Sequence, residues 1–355
     1  MRKGSTGFLE SLLGAVSVSG SEAPVQRVWL DYAGQFADRT ETDSYGNCYA
    51  YLNGGGSPRI MISGHADEIG FLVQYISDDG FIHFAAAGGV DRALIPGRRM
   101  IVQTRKGPVT GVTGALAIHM QDKEKERPPQ KVHENFLDIG AASKAEAEKR
   151  VQIGDVITYA DGFTRLAGDV VAARGCDNRI GIWAAAETLR LLKGQKKIDA
   201  CVVAVSTVQE EIGHNGAFMA GHNVKPDISL VADVGHATDI PQADRRRFGA
   251  VKLGSGPMVG RGSANHPAIV ERLIDVAGKS KIPLQLTTDP VRTGTDADAI
   301  FRQNGGIPTA SVSLPNRYMH SPAEVINLGD LEHLAELLAA FCRSVKKGER
   351  FRVKV

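Results

Sequence analysis

Residues 201–216 read CVVAVSTVQEEIGHNG. The apolar run CVVAV has the length and β-branched content of a buried strand. It delivers two adjacent carboxylates, Glu210 and Glu211, to its carboxyl end, and Gly213 and Gly216 then open a helix-like segment. Open α/β sheets bind their ligands outside the carboxyl ends of their strands. Two neighbouring carboxylates at such an end repel each other and call for a counter-charge. Alone, a Glu-Glu pair reads as a solvated turn; its meaning depends on which other polar residues share its topological position.

Working outward, RIMIS at 59–63 reads as a second core strand and runs straight into Gly64-His65. RIGIWAAAETLRLLKG at 179–194 has the periodicity of a helix closed by Gly194. DISLVAD at 227–233, IPLQLTT and PTASVSL read as strands; ANHPAIVERLIDVAGKS, DADAIFRQ and LEHLAELLAAFCRSVKK read as helices. Residues 5–15 and 22–33 suit two further helices, and a hairpin turns near Gly46-Asn47. This alternation predicts an α/β fold, a mostly parallel sheet with helices on both faces. Between 70 and 166 the texture changes to short alternating strands separated by glycine-rich turns, which reads as a small inserted all-β barrel or sandwich. The expected organisation is residues 1–69 and 167–355 forming one α/β domain around an insertion at 70–166 that stands away from the ligand motifs. The charged stretch 120–134, with Pro128-Pro129, is expected to be a solvated, mobile loop.

With 355 residues, 43% of them hydrophobic, the chain can build a sizeable core, and a net charge of +2 points to neither nucleic acid nor a membrane surface. Four cysteines without CxxC spacing suit a reducing compartment and argue against a cysteine metal site. Glu10 interrupts the apolar part of the N-terminal stretch, which reads as a short helix rather than a signal peptide. No run of 18 apolar residues offers a membrane span. The expected location is cytoplasmic.

Five polar residues occupy the same kind of position as Glu211 or its own. His65 follows RIMISG, Asp177 precedes the 179–194 helix, Glu211 follows CVVAVSTVQE, Asp233 ends DISLVAD, and His320 follows SVSLPNRYM. Singly, each has an ordinary explanation; Asp177, for instance, is a plausible helix N-cap. Jointly, two imidazoles and three carboxylates form a nitrogen–oxygen set suited to zinc, cobalt or manganese. Such a set can hold two divalent ions if one carboxylate bridges them. Asp67, two residues after His65, is placed to hold that histidine's other ring nitrogen. Glu210 is left as a spare carboxylate able to take a proton. His214 and His236 lie close enough in sequence to line the same site.

GHADEIGF, CDNRIG, TVQEEIG, ADVGHATD, GTDADAI and RYMHSPAEV, in this order, resemble the glutamyl/deblocking aminopeptidase family of tetrahedral (TET) metallo-aminopeptidases, some members of which carry an endoglucanase label. SVSGSEAPV and KVHENFLDIGA extend the resemblance over nearly the whole chain. It implies a dinuclear site in which Asp177 bridges, His65 and Asp233 complete one metal, and Glu211 and His320 the other, with Glu210 as general base. It also implies that the inserted β domain mediates dimerisation and that dimers build a hollow dodecamer. The sequence departs from the common pattern at His214-Asn215 and in the basic stretch ADRRRFGA at 243–250.

The resulting expectation is a cytoplasmic metallo-aminopeptidase acting on short peptides with two divalent ions, zinc or cobalt, or else manganese. Asp296 is expected to help line the pocket for the first side chain. A related two-metal carboxypeptidase or deacylase is the nearest alternative. A glycoside hydrolase leaves His65 and His320 unexplained, and a metal-free binding protein has no use for the full ligand set.

Overall fold

The computed structural model describes residues 1–121, 128–194, 198–353 and 355. Its centre is an eight-stranded sheet in the spatial order Arg39–Thr42, Cys48–Leu52, Cys201–Thr207, Arg59–His65, Ile228–His236, Thr309–Asn316, Met258–Arg261 and Gln285–Thr288. The four middle strands from Cys201–Thr207 to Thr309–Asn316 are parallel, and these carry His65 and Asp233 and lead into Glu210, Glu211 and His320. The flanks are mixed. Cys48–Leu52 pairs antiparallel with Cys201–Thr207, and Met258–Arg261 antiparallel with Thr309–Asn316. The edge pair Met258–Arg261 and Gln285–Thr288 is again parallel, so four of the seven pairings are parallel and the expectation of a mostly parallel sheet holds, with antiparallel pairings at both flanks. At the first edge the 39–52 hairpin is joined by a short turn, which reverses chain direction.

Alternation along the strands divides the apolar residues between two faces. Ile60, Ile62, Val202, Ala204, Leu230 and Ala232 face one core with the long helices Cys176–Leu192 and Leu328–Ser344. Met61, Val203, Val205 and Val231 face a smaller core beneath Asn215–Val224. Helix and sheet approach closely where a Cβ on Gly64 would lie 2.6 Å from the backbone of Gly181. That contact sets the level of the helix start, and hence of Asp177, against the end of the His65 strand.

Six antiparallel strands between Gly70 and Tyr159 close into a barrel. Phe71, Phe84, Met100, Val102, Leu137 and Tyr159 fill it. Of the charged stretch 120–134, residues 122–127 lie outside the described residues, and the expectation of a mobile loop falls outside them for that part; residues 128–131 are irregular and exposed, and Val132–Glu134 form a short 3-10 turn. A small sheet, Thr164–Arg165, Val170–Ala173 and Glu324–Asn327, flanks the approach to Asp177. None of its three strands is in the reading of the sequence, because they are only two to four residues long. No described helix is long and apolar enough to cross a membrane.

Candidate metal centre and active site

Parallel register decides which side chains meet. Thr207 pairs with His65, and Val231 with Ser63, so Asp233, two residues on, reaches the level of His65. Asp177 enters from the start of its helix, where residues 177 and 178 leave helical geometry. Asp177 does not cap the helix, where Asn178 Oδ1 accepts the Gly181 N–H instead. Its two oxygens face two imidazoles: Oδ1 is 3.1 Å from His65 Nε2, and Oδ2 is 3.3 Å from His320 Nε2. Asp233 Oδ1 stands 4.0 Å from His65 Nε2, and Glu211 Oε2 3.4 Å from His320 Nε2. His65, Asp177 and Asp233 are buried, and Glu211 and His320 partly so.

Asp67 lies beneath the set, fully buried. Its Oδ1 is 3.3 Å from His65 Nδ1. Its carboxylate also accepts the backbone N–H groups of Glu210 (2.9 Å) and Glu211 (3.1 Å) and the hydroxyl of Ser19 (2.6 Å). One side chain therefore holds a histidine and both glutamates. Glu210 Oε2 is 3.7 Å from His65 Nε2, and its other oxygen is 2.8 Å from His214 Nδ1. Asp296 is completely buried behind His214 and accepts the Thr207 hydroxyl at 2.6 Å; it packs behind the site and does not line the cavity. His214 and His236 do line it.

The electrostatics show what such a site lacks. Burial, and then the neighbouring charge of Asp177, pushes the Glu211 carboxyl well above its ordinary range. Burial pushes Asp233 up in the same way. Burial, and then Glu210, raises Asp296 to about 7. Asp177 goes the other way: burial opposes its charge, but the hydrogen bonds from His320 and His65 outweigh it and hold it below the usual range. His320 is raised to about 9, chiefly by Asp177. Glu211 Oε1 and Asp296 Oδ1 are buried without a hydrogen-bond partner among the described residues. Buried carboxylates are stable only when paired, hydrogen-bonded or ligating metal. Two imidazoles do not compensate this many, and the nitrogen–oxygen donors fit divalent zinc, cobalt or manganese.

Several partners of the site escape the sequence reading. Glu324 accepts the N–H groups of Asp177 (3.1 Å) and His320 (3.0 Å), and burial raises its carboxyl to about 8. Glu22 accepts the N–H of Gln209 at 3.2 Å, just before Glu210. Both lie inside motifs already quoted, HSPAEV and SEAPV, and the motif itself was the available signal. The barrel is also nearer than expected: His320 Nδ1 donates to the carbonyl of Gly89 at 3.0 Å. The inserted segment thus touches His320 directly and does not stand away from the cluster. Gly89 sits after the Ile82–Ala87 strand, and nothing in its local sequence announces the contact.

The set opens into a cavity of about 1060 Å³. Residues 46–337 match the model of the M42 glutamyl aminopeptidase family. The lysyl aminopeptidase of Pyrococcus furiosus is 32% identical over 342 residues, 96% of this chain and 97% of that protein. The TET aminopeptidase of a marine-sediment Thaumarchaeota archaeon superposes with a TM-score of 0.91 at 32% identity, covering 96% of both chains. The TET1 peptidase of Pyrococcus horikoshii, described as assembling into a tetrahedron or a large octahedral shell, gives 0.85 at 30% identity, covering 96% of this chain and 100% of that one. A family match over most of the chain, together with relatives at this identity along its whole length, means that the chain belongs to the M42 glutamyl aminopeptidase family and is a peptide hydrolase.

Proposed function

We infer that the protein removes N-terminal residues from peptides by metal-dependent hydrolysis. His65, Asp177 and Asp233 would hold one divalent ion, and Asp177, Glu211 and His320 a second, with zinc, cobalt or manganese as candidates. The observation that carries this reading is the placement of Asp177, whose two oxygens each face a different imidazole within 3.3 Å. Two ions held there would polarise the scissile carbonyl and acidify an attacking water.

The remaining chemistry belongs to the chain. Glu210 is near the set without being needed as a ligand, so it takes the water's proton and returns it to the leaving amine. Asp67 fixes the backbone of both glutamates and so holds the base and its neighbouring ligand in one geometry. His214 rests against the second oxygen of Glu210 and restricts its rotation. The buried end of the cavity is rich in carboxylates, and among the described residues no buried lysine or arginine lines it. That favours the ammonium of a peptide N-terminus over the carboxylate of a C-terminus, and thus an aminopeptidase over a carboxypeptidase.

The barrel supports a further part of the reading. Tyr75, Val112, Leu116, Ile118 and Met120 are large apolar side chains exposed on it. Covering them suits a dimer contact made by the 70–166 segment, from which a dodecameric shell would be built. Four buried, unpaired cysteines suit a reducing cytoplasm.

The test is metal analysis of the purified protein beside hydrolysis of aminoacyl chromogenic substrates. Chelation should abolish activity, and added zinc, cobalt or manganese should restore it. Full activity in metal-stripped protein, with chelator present, would sink the reading.

A further inference from the structure

The two ends of the cavity differ in depth and in charge. His65, Asp177, Glu210 and Asp233, at one end, are buried. Arg245, Arg246, Arg247 and Arg292, which line the same cavity, are exposed and therefore mark its mouth. With Arg261 they make, among the described residues, five arginines and no lysine around one cavity, in a chain whose net charge is only +2.

Two of the five have carboxylate partners. Arg246 pairs with Asp244 at 3.1 Å and Arg261 with Glu271 at 2.8 Å. The other three have none among the described residues. Arg245 Nε reaches only the carbonyl of Thr238, at 3.4 Å. The Arg247 guanidinium lies 4.8 Å from the ring of Phe248. Arg292 makes no ion pair among the described residues. Asp289, the one carboxylate lining the cavity outside the ligand set and Glu210 among the described residues, is held by Asn265 at 2.7 Å. Guanidinium groups bind carboxylates with a planar two-pronged fit. Three of them stand here without counter-ions.

A peptide with its N-terminus against the buried carboxylates must leave through the mouth. The groups that pass the arginines are then those beyond the cleaved bond. Neutral residues such as Thr295, Ser311 and Met319 also line the cavity.

We propose that Arg245, Arg247 and Arg292 form a carboxylate-binding site for the departing part of the peptide. The enzyme then prefers short peptides with an acidic side chain, or a free C-terminal carboxylate, downstream of the bond it cleaves. This rests on the aminopeptidase reading of the buried end. It separates the mouth of the cavity from selection of the first residue.

The experiment compares kcat/KM of the metal-loaded enzyme on Leu-Ala-Ala-amide, Leu-Ala-Ala free acid, Leu-Ala-Asp-amide and Leu-Ala-Lys-amide, and on Glu-Ala-Ala-amide against Gln-Ala-Ala-amide. The free acid, the aspartyl amide or both should exceed the neutral amide by about tenfold at low salt, within the range of electrostatic steering. Which of the two gains more identifies the source of the carboxylate. The lysyl amide should fall below the neutral one, and added salt should compress the ratio. In R245A/R247A/R292A the ratio should fall to about one. R246A, whose guanidinium is already paired, should keep it. All these side chains are exposed, and circular dichroism checks that each variant is folded. Equal kcat/KM on the four leucyl peptides, a ratio that survives the triple substitution, or discrimination confined to Glu over Gln at the first position would each overturn the proposal. Hydrolysis of none of the peptides would bring down the aminopeptidase reading and this site with it.

Discussion

Glu210 and Glu211 are neighbours in sequence and are assigned different work, so their substitutions should fail differently. Glu210→Gln keeps size and hydrogen bonding but cannot take a proton. Loss of a general base costs about 10²–10⁴ in rate, with metal content near wild type and KM little moved. Glu211→Ala removes a ligand; metal content should drop, and excess ion should partly restore activity. Metal stoichiometry measured beside kcat decides, and the opposite pattern would reverse the two roles. Glu68 is the structural counterpart. It is buried between Arg174, whose Nη1 lies 2.6 Å from it, and the fully buried Arg179. Burial works to raise the Glu68 carboxyl, but the two guanidinium groups outweigh it and hold the pKa below 4.5. Breaking such a buried set by removing one partner costs about 3–5 kcal/mol, so Glu68→Gln should lose that much in urea unfolding. Because the folded pKa is depressed, this stability is fully present above about pH 4.5 and fades as pH falls through the folded value. The gap between wild type and Glu68→Gln should therefore narrow in acid; a gap independent of pH would show that the carboxylate charge is not what holds this set.

At the scale of elements, the contact between the barrel and the sheet is the informative one. A Cβ on Gly89 would lie 3.0 Å from His320 Nδ1. The same nitrogen is held by the Gly89 carbonyl. Gly89→Ala should therefore turn the imidazole away from Asp177 and Glu211 while leaving His65 and Asp233 in place. The expected result is a folded protein that binds about one metal ion per chain where wild type is expected to bind two, read by metal analysis after dialysis. Unchanged stoichiometry would mean that the barrel loop does not set the position of His320. This dependence also gives the insertion a part in the site beyond any part in assembly.

For the whole molecule, metal and assembly are the two terms that should govern stability. Ions that bind only the folded chain stabilise it by mass action, about 2.7 kcal/mol at a hundredfold excess over Kd. Chelation should lower Tm accordingly. Histidine ligands must be neutral to bind, so occupancy should also decline in mild acid. A Tm indifferent to chelator would argue that the carboxylate cluster needs no ion. Assembly is checked by light scattering at micromolar concentration. The wild-type mass should be a multiple of the 37.9 kDa chain. Ile118→Lys with Met120→Lys, which charges the exposed barrel face, should shift it downward; a monomeric wild type would rule the shell out.

The sequence by itself was enough to say which side chains converge. His65, Asp177, Glu211, Asp233 and His320 follow or precede apolar runs whose period is local, and strand ends of one sheet lie side by side. The change of texture at residue 70 likewise rests on the spacing of neighbouring residues. Tertiary structure alone decided what supports those side chains. Glu324 meets the amide of Asp177 across 147 positions, Glu22 that of Gln209 across 187, and Gly89 meets His320 across 231. The same holds for Asp67, which hydrogen-bonds the amides of both glutamates some 143 positions on. Such polar pairings follow from the order of strands in the sheet and the docking of the barrel, and no local period carries that order. Whether a carboxylate is a solvated loop residue or a buried acceptor depends on what covers it, and for this chain the covering comes from elements far away in sequence.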